Sequence, residues 1–233
     1  LNYACYQDAR FIVVATPSGI TLAPEGGAHQ SINTPLTAMS IPGLAAYAPA
    51  FADELAKIME WGFTHMQRLN GGSVYLRLST RPIAQPERQM TDGLAAAIIA
   101  GGYWQVPPAA GAKLAIAYTG AVAPEAMAAH RELLATHPGA GLLAITSHER
   151  LHADWLERGS SSTIASLLGP LDARARIVSI IDGHPAALSW LGAVQGQPIR
   201  PLGVTTFGQS ADIPDLYAAH GIDAASIVAA ASN

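Results

Sequence analysis

The sequence predicts an α/β protein built as two three-layer α/β/α units with mostly parallel sheets, the first of them incomplete. Short apolar runs rich in β-branched residues alternate with alanine-rich helical stretches, as in parallel strands joined by crossover helices. At 233 residues, half of them hydrophobic and only 13% charged, the chain can fill one large core or two modest ones.

Strands are expected at 11–15, 44–48, 74–78, 114–118, 142–146, 177–181 and 199–204, each an apolar run bounded by turn-forming residues. A helix over 50–67 follows Pro49 and carries Asp53 and Glu54 in its first turn, where carboxylates complement the helix dipole. Its Leu55, Ile58, Met59 and Phe63 recur at helical spacing and are assigned to the core. A second helix, 124–136, is stopped by His137-Pro138-Gly139. Between them Arg81-Pro82, Gln85-Pro86 and Val106-Pro107-Pro108 flank a short apolar helix at 94–100, and X-Pro steps disfavour continuous regular structure. The organisation read from this is a first domain at 1–80, a linker with a short helix at 81–111 and a second domain at 112–233. Past residue 206, Phe207 to Tyr217 reads as a loop and a proline-started helix, followed by an apolar final helix packed on the sheet edge. The first domain has about half the residues of an open α/β sheet. The chain begins at Leu1 and reaches an apolar run by residue 11, which reads as a piece of a longer polypeptide.

A net charge of −4, with no basic block among 11 arginines and 2 lysines, gives no reason to expect nucleic acid or an anionic membrane surface as partner. The single cysteine, Cys5, excludes an internal disulfide, fits a reducing compartment and is expected to be buried and inert. No apolar run approaches the roughly 18 residues that span a bilayer, and no charged-then-apolar leader opens the chain. A cytoplasmic location is the expectation.

The most informative stretch is Pro24-Glu25-Gly26-Gly27-Ala28-His29-Gln30-Ser31. It sets one imidazole, His29, on a glycine-loosened turn after the first strand. Glycines admit backbone conformations closed to other residues and let a ligand come close. An imidazole titrates near neutral pH, so His29 is suited to stabilise or protonate a developing oxyanion.

Glu25-Gly-Gly-Ala-His-Gln30 resembles the turn in the pyrimidine-binding domain of the transketolase superfamily that brings a histidine to the substrate. The resemblance continues through Ile41-Pro-Gly-Leu44, Pro49-Ala-Phe-Ala-Asp-Glu54, Gly72-Ser-Val-Tyr-Leu-Arg-Leu-Ser-Thr-Arg81, Tyr118-Thr-Gly-Ala-Val-Ala-Pro-Glu125, Ile181-Asp-Gly-His-Pro185 and Phe207-Gly-Gln-Ser210. Together these blocks look most like the homodimeric first component, the decarboxylase, of the pyruvate dehydrogenase complex, and they cover nearly the whole chain in order. The resemblance implies a homodimeric enzyme, dependent on thiamine diphosphate and magnesium. It would decarboxylate pyruvate and pass the two-carbon unit to a lipoyl group on the acyltransferase component. It gives His29 the catalytic role and makes Glu25 and Gln30 the residues that shape its loop.

In the family the diphosphate and metal are held by a Gly-Asp-Gly segment followed by an asparagine, in an N-terminal domain. No Gly-Asp-Gly occurs here. The glutamate that pairs with the aminopyrimidine lies upstream by more than the residues preceding His29, and Glu25 is too near to replace it. This chain alone is therefore expected to bind no cofactor and to be inactive. Two alternatives differ in class. One is a transketolase moving a two-carbon ketol unit between sugar phosphates, against which Ala48 stands where that pattern has an arginine. The other is a non-catalytic dimerisation or assembly module.

Other motifs read as structure. His148-Glu149-Arg150-Leu151-His152 matches the zinc-protease spelling H-E-x-x-H. Thr146 and Ser147, however, look like an N-cap that puts His148 in a first helical turn, and no third ligand presents itself, so no metal site is expected. Asp182-Gly183-His184 follows a strand and reads as a turn in which Asp182 caps a helix at 186–191. Thr119-Gly120-Ala121 offers backbone amides to an anion, but strand–glycine–helix turns are common structural features. Ser160–Thr163 is a polar cluster at a loop or helix start, without a nucleophile elbow. His65, His130, His137 and His220 are assigned to caps or solvated surface.

Overall fold

The computed structural model describes residues 1–232. Its first sheet holds β1 (Ile12–Ala15), β2 (Leu44–Tyr47) and β3 (Ser73–Arg77), all parallel, in the order β1-β3-β2. Every residue of β2 and β3 is buried, as befits parallel strands covered on both faces. Alternate side chains go to opposite layers. Ala45, Tyr47, Val74 and Leu76 meet Ile58 on one face, whereas Leu44, Ala46 and Tyr75 meet Ala38 and Ile41 on the other. Those layers come from helix α3 (Ala52–Gln67) and, opposite it, α2 (Thr34–Met39); a short α1 (Asn2–Tyr6) precedes β1.

Helix α3 starts where the sequence places it because Glu54 accepts hydrogen bonds from the backbone N–H groups of Ala50 (2.8 Å) and Phe51 (3.1 Å). Its fully buried residues are Glu54, Ile58 and Gly62; Leu55 and Met59 of the assigned stripe pack half-buried against the same core, and Phe63 alone departs from it. Phe63 is 55% exposed. Gly62 lies on the buried face against Val74 and Ile12, and Phe63, one residue on, is turned about 100° away. Cys5 is half-buried rather than buried, and β1, at the sheet edge, leaves Val14 53% exposed.

The second sheet holds β4 (Gly102–Val106), β5 (Ala112–Tyr118), β6 (Gly141–Ile145), β7 (Leu171–Ile180) and β8 (Ile199–Leu202), in the order β4-β6-β5-β7-β8. All neighbours are parallel except β4, which runs antiparallel to β6. The seven expected strands are all present. The eighth, β4, was hidden because five residues between Gly101 and Pro107 carry too little pattern to announce an edge strand. Helices α4 (Asp92–Ala100), α5 (Ala123–Leu133), α6 (His148–Arg158), α7 (Thr163–Leu168), α8 (Ala186–Ser189), α9 (Leu191–Gln195), α10 (Ile213–Ala219) and α11 (Ala224–Ser232) complete the chain.

Leu151, Ile164, Leu168, Leu188 and Leu191 pack on one face of this sheet; Ala126, Leu133, Leu216, Tyr217 and Ile227 pack on the other. The second of these layers runs without a break into the α3 side of the first sheet. His130 belongs to that core rather than to a surface: it is 3% exposed, and its Nε2 sits 2.8 Å from the Ala140 carbonyl oxygen. Among the described residues no helix is long and apolar enough to cross a membrane.

Candidate functional site

The loop that carries His29 is closed at its root, where the Ser31 N–H donates to the Gly19 carbonyl oxygen at 3.0 Å. Within it two single-turn helices, Ala23–Glu25 and Gly27–His29, are separated by Gly26, whose φ of 83° favours glycine. The His29 N–H donates back to the Gly26 carbonyl oxygen at 3.1 Å. Ala28 and His29 face outward, and Glu25 is exposed; Gln30 turns inward and is 7% exposed.

Gln30 turns inward because a second loop, nearly 180 residues away in sequence, receives it. Its Nε2 donates to the Gln209 carbonyl oxygen at 3.3 Å, and the Ala211 N–H donates to the Ala23 carbonyl oxygen at 3.2 Å. A Cβ on Gly26 would stand 2.6 Å from Ser210 Oγ, one on Gly27 2.3 Å from the Gly208 carbonyl oxygen, and one on Gly208 1.8 Å from Gln30 Oε1. Three glycines thus let Glu25–Gln30 and Phe207–Ser210 interlock. The sequence singled out both segments but gave no reason to join them; the glycines on each side were the signal. A Gly208→Ala substitution is expected to force Gln30 out of its slot and destabilise the protein by about 1–3 kcal/mol. Thermal unfolding and protease cleavage within 23–30 would report it, and an unshifted melting temperature would refute the interlock.

The root of the loop is fastened to the carboxyl end of β7. Asp182, fully buried, accepts from Arg77 Nη1 at 2.7 Å and from Ser18 Oγ at 3.0 Å. Arg77 Nη2 also donates to the carbonyl oxygens of Asp182 (3.3 Å) and Ser31 (3.4 Å), and the His184 N–H donates to the Ile32 carbonyl oxygen at 2.8 Å. Asp182 therefore does not cap the following helix, whose N-cap is Pro185. A buried arginine at the end of β3 claims the carboxylate instead. The helix expected at 186–191 is also broken in two, at Trp190.

The remaining constellations separate. Ser147 caps α6 by accepting from the Arg150 N–H at 3.1 Å, so His148 does open that helix. Its ring is buried with Nε2 3.4 Å from the Pro35 carbonyl oxygen. Glu149 accepts from the Ala46 N–H at 3.3 Å, and His152 lies edge-on to Trp190 with centroids 4.9 Å apart. Each of the three side chains is thus engaged in a different environment. Among the described residues no three His, Cys, Asp or Glu side chains converge as metal ligands would. The Thr119–Ala121 turn is buried beside Ala48, with Thr119 Oγ1 donating to the Ala48 carbonyl oxygen at 3.5 Å. Arg81 is committed to Glu125 through two bonds of 2.9 and 2.6 Å, to the Ala121 carbonyl oxygen at 3.0 Å, and to the face of Tyr217.

Burial holds the His148 pKa down to about 4, with smaller contributions from Arg77 and His152. An unfolded chain protonates the same ring near 6.5. The depressed folded value contributes stability that is complete above pH 6.5 and is lost as pH falls from 6.5 toward 4, about 3 kcal/mol in all. A His148→Leu variant is expected to flatten this part of the stability–pH curve. Parallel curves for the two proteins over that window would contradict the assignment.

No protein-family model matches the chain. It is 32% identical to the pyruvate dehydrogenase E1 component of Mycolicibacterium smegmatis, over 97% of this chain and 26% of that protein. It is 28% identical to the 6-deoxy-6-sulfo-D-fructose transketolase subunit SqwH of a Clostridium species, over 97% of this chain and 65% of that one. The fold superposes on transketolase from Leishmania mexicana with a TM-score of 0.77 at 17% identity, covering 99% of this chain and 31% of that one. A Pichia stipitis transketolase variant gives 0.78 at 19% identity, with the same coverage. The chain thus spans about a quarter of the length of the first relative and 65% of the second.

Proposed function

Because this chain belongs to the transketolase superfamily, we propose that it forms part of a thiamine-diphosphate-dependent 2-oxoacid dehydrogenase. That enzyme decarboxylates pyruvate and hands the acetyl unit to a lipoyl group. Residues 1–80 form part of its pyrimidine-binding domain, 81–111 the connection and 112–233 its C-terminal domain. The reading includes a homodimer, a lipoyl acyltransferase partner and a cytoplasmic location.

The observation that carries it is the interlock itself. Of the motif's polar side chains, Gln30 is locked against Gln209 while His29 is held outward on a fastened loop. An imidazole so presented is placed to move a proton or hold negative charge at a substrate lying against this surface. Phe207, 82% exposed beside it, suits a surface that a second subunit covers. Gln30 and Glu25 act on the shape of the loop.

The cofactor's metal-bound diphosphate does not fit the residues present. Magnesium takes oxygen ligands in near-octahedral geometry, and among the described residues no acidic group converges that could supply them. That end of the cofactor is assigned to protein beyond these 233 residues.

The commitment of Arg81 to Glu125 and the apolar Ala48 favour a substrate without phosphate, hence pyruvate over a sugar phosphate. The test is an assay of the full-length protein with thiamine diphosphate and magnesium. Release of carbon dioxide from pyruvate with acetylation of a lipoyl domain is expected. Ketol transfer between sugar phosphates without pyruvate turnover would replace this reading by the transketolase one. A dimer with neither activity would make the protein an assembly module.

A further inference from the structure

Two spacious cavities lie far from the His29 loop. The loop is fastened at the carboxyl ends of β3 and β7, whereas these cavities open at the amino ends of β5, β7 and β8, beside the last turns of α11. One, of about 540 Å³, is walled by Arg176, Ile199, Arg200, Leu202 and Ala229. The other, of about 420 Å³, is walled by Lys113, His137, Arg174, Arg176 and Ser232. Arg176 and Pro198 belong to both, so the two adjoin in one basic groove region along these residues.

Its charge is out of keeping with the chain. The protein has 13 lysines and arginines and a net charge of −4. Six of the 13 pair with carboxylates among the described residues: Arg10, Lys57, Arg77, Arg81, Arg88 and Arg158. Four of the other seven, Lys113, Arg174, Arg176 and Arg200, line this groove, and among the described residues no carboxylate or thiol side chain does. Arg176 has a structural task, donating to the Ala231 carbonyl oxygen at 3.1 Å at the end of α11. The side chains of Lys113, Arg174 and Arg200 make no hydrogen bond to protein among the described residues. Clustering them repels and works against the fold, so the folded state gains nothing from the arrangement.

We infer that the groove binds a small organic phosphate carrying at least two negative charges, as an effector rather than a substrate. Guanidinium forks match phosphate oxygens in pairs, and Lys113 and Arg174 at one end and Arg200 at the other are free to bind them. The other end, Pro198, Ile199, Leu202 and Ala229, offers an apolar wall to the organic part of the ligand. The groove lies at the opposite ends of the strands from the His29 loop, so its ligand is placed as an effector and not as a substrate of that loop. The inference does not depend on the role given to His29, since no residue is shared.

Titration calorimetry with adenosine 5′-diphosphate, against adenosine as the uncharged control, tests it. The diphosphate is expected to bind, more weakly as salt is raised, and adenosine not to bind. Arg174→Glu and Arg200→Glu, both at exposed side chains, are each expected to weaken binding about tenfold or more with unchanged melting temperature. Arg176→Lys is expected to retain binding. Absence of diphosphate binding at concentrations up to about 5 mM, or binding that both charge reversals leave intact, would overturn the inference. So would self-association of the protein that Arg200→Glu abolishes while the diphosphate fails to bind.

Discussion

Replacing His29 with alanine in the full-length protein is expected to lower pyruvate turnover about 10²–10⁴-fold, the range for loss of a positioned proton-transfer group. The same change should leave the fold and the dimer intact. The side chain is exposed, makes no hydrogen bond among the described residues, and contributes only its backbone N–H to the loop. Removing it therefore empties no core and orphans no buried partner, unlike the changes that destabilise proteins strongly. The loss should fall on kcat rather than KM, because an interaction made only in the transition state lowers kcat and kcat/KM together. Steady-state kinetics and a melting curve on the same preparation separate the outcomes. Near-normal turnover refutes the catalytic role, and a fall in melting temperature matching the loss of activity makes His29 a structural residue.

Most of the fold was legible because parallel strands covered on both faces write themselves as apolar runs. All seven expected runs became strands, and Ser147, Ser162 and the proline-led α10 started helices where their chemistry said they would. What could not be read were facts decided by distant partners. Asp182 looked like a helix cap because a cap is a local device; only the folded chain brings Arg77 to it. The inward face of α3 was misjudged at Phe63 because spacing gives a stripe's period but not its rotation. Gly62, which lies on the buried face against Val74 and Ile12, carries no hydropathy signal. The candidate site was half legible: Glu25–Gln30 stood out as a motif, whereas its partner loop was read as a block of the resemblance and the lead into two C-terminal helices, with no part in the site. Glycines in both loops were the hint, but nothing local to either loop says that the two meet.

Truncating Arg77 to alanine is expected to destabilise the protein by about 3–5 kcal/mol, because it leaves the Asp182 carboxylate buried with its charge uncompensated. For a chain of this size each kcal/mol corresponds to about 2–4 °C, so the melting temperature should fall by about 6–20 °C. Asp182→Ala should do comparable damage from the other side, stranding a guanidinium that is 2% exposed. The pair is not merely a source of stability. Gly19 packs so closely on Asp182 that a Cβ there would lie 1.9 Å from its carbonyl oxygen, and Ser18 and Ser31 both bond into the cluster. Loosening it frees the root of the His29 loop as well as the junction between the two sheets. The double replacement Arg77→Met with Asp182→Leu discriminates these contributions. Buried ion pairs replaced by apolar side chains of similar volume often keep their stability, so the double variant should melt well above either single one. Yet Ser18 Oγ and the Ser31 carbonyl oxygen would have lost their partners, so hydrogen exchange of residues 18–31 should remain faster than in the parent. Additive losses in the double variant, with no coupling between the two sites, would show that the pair does not hold the sheets together.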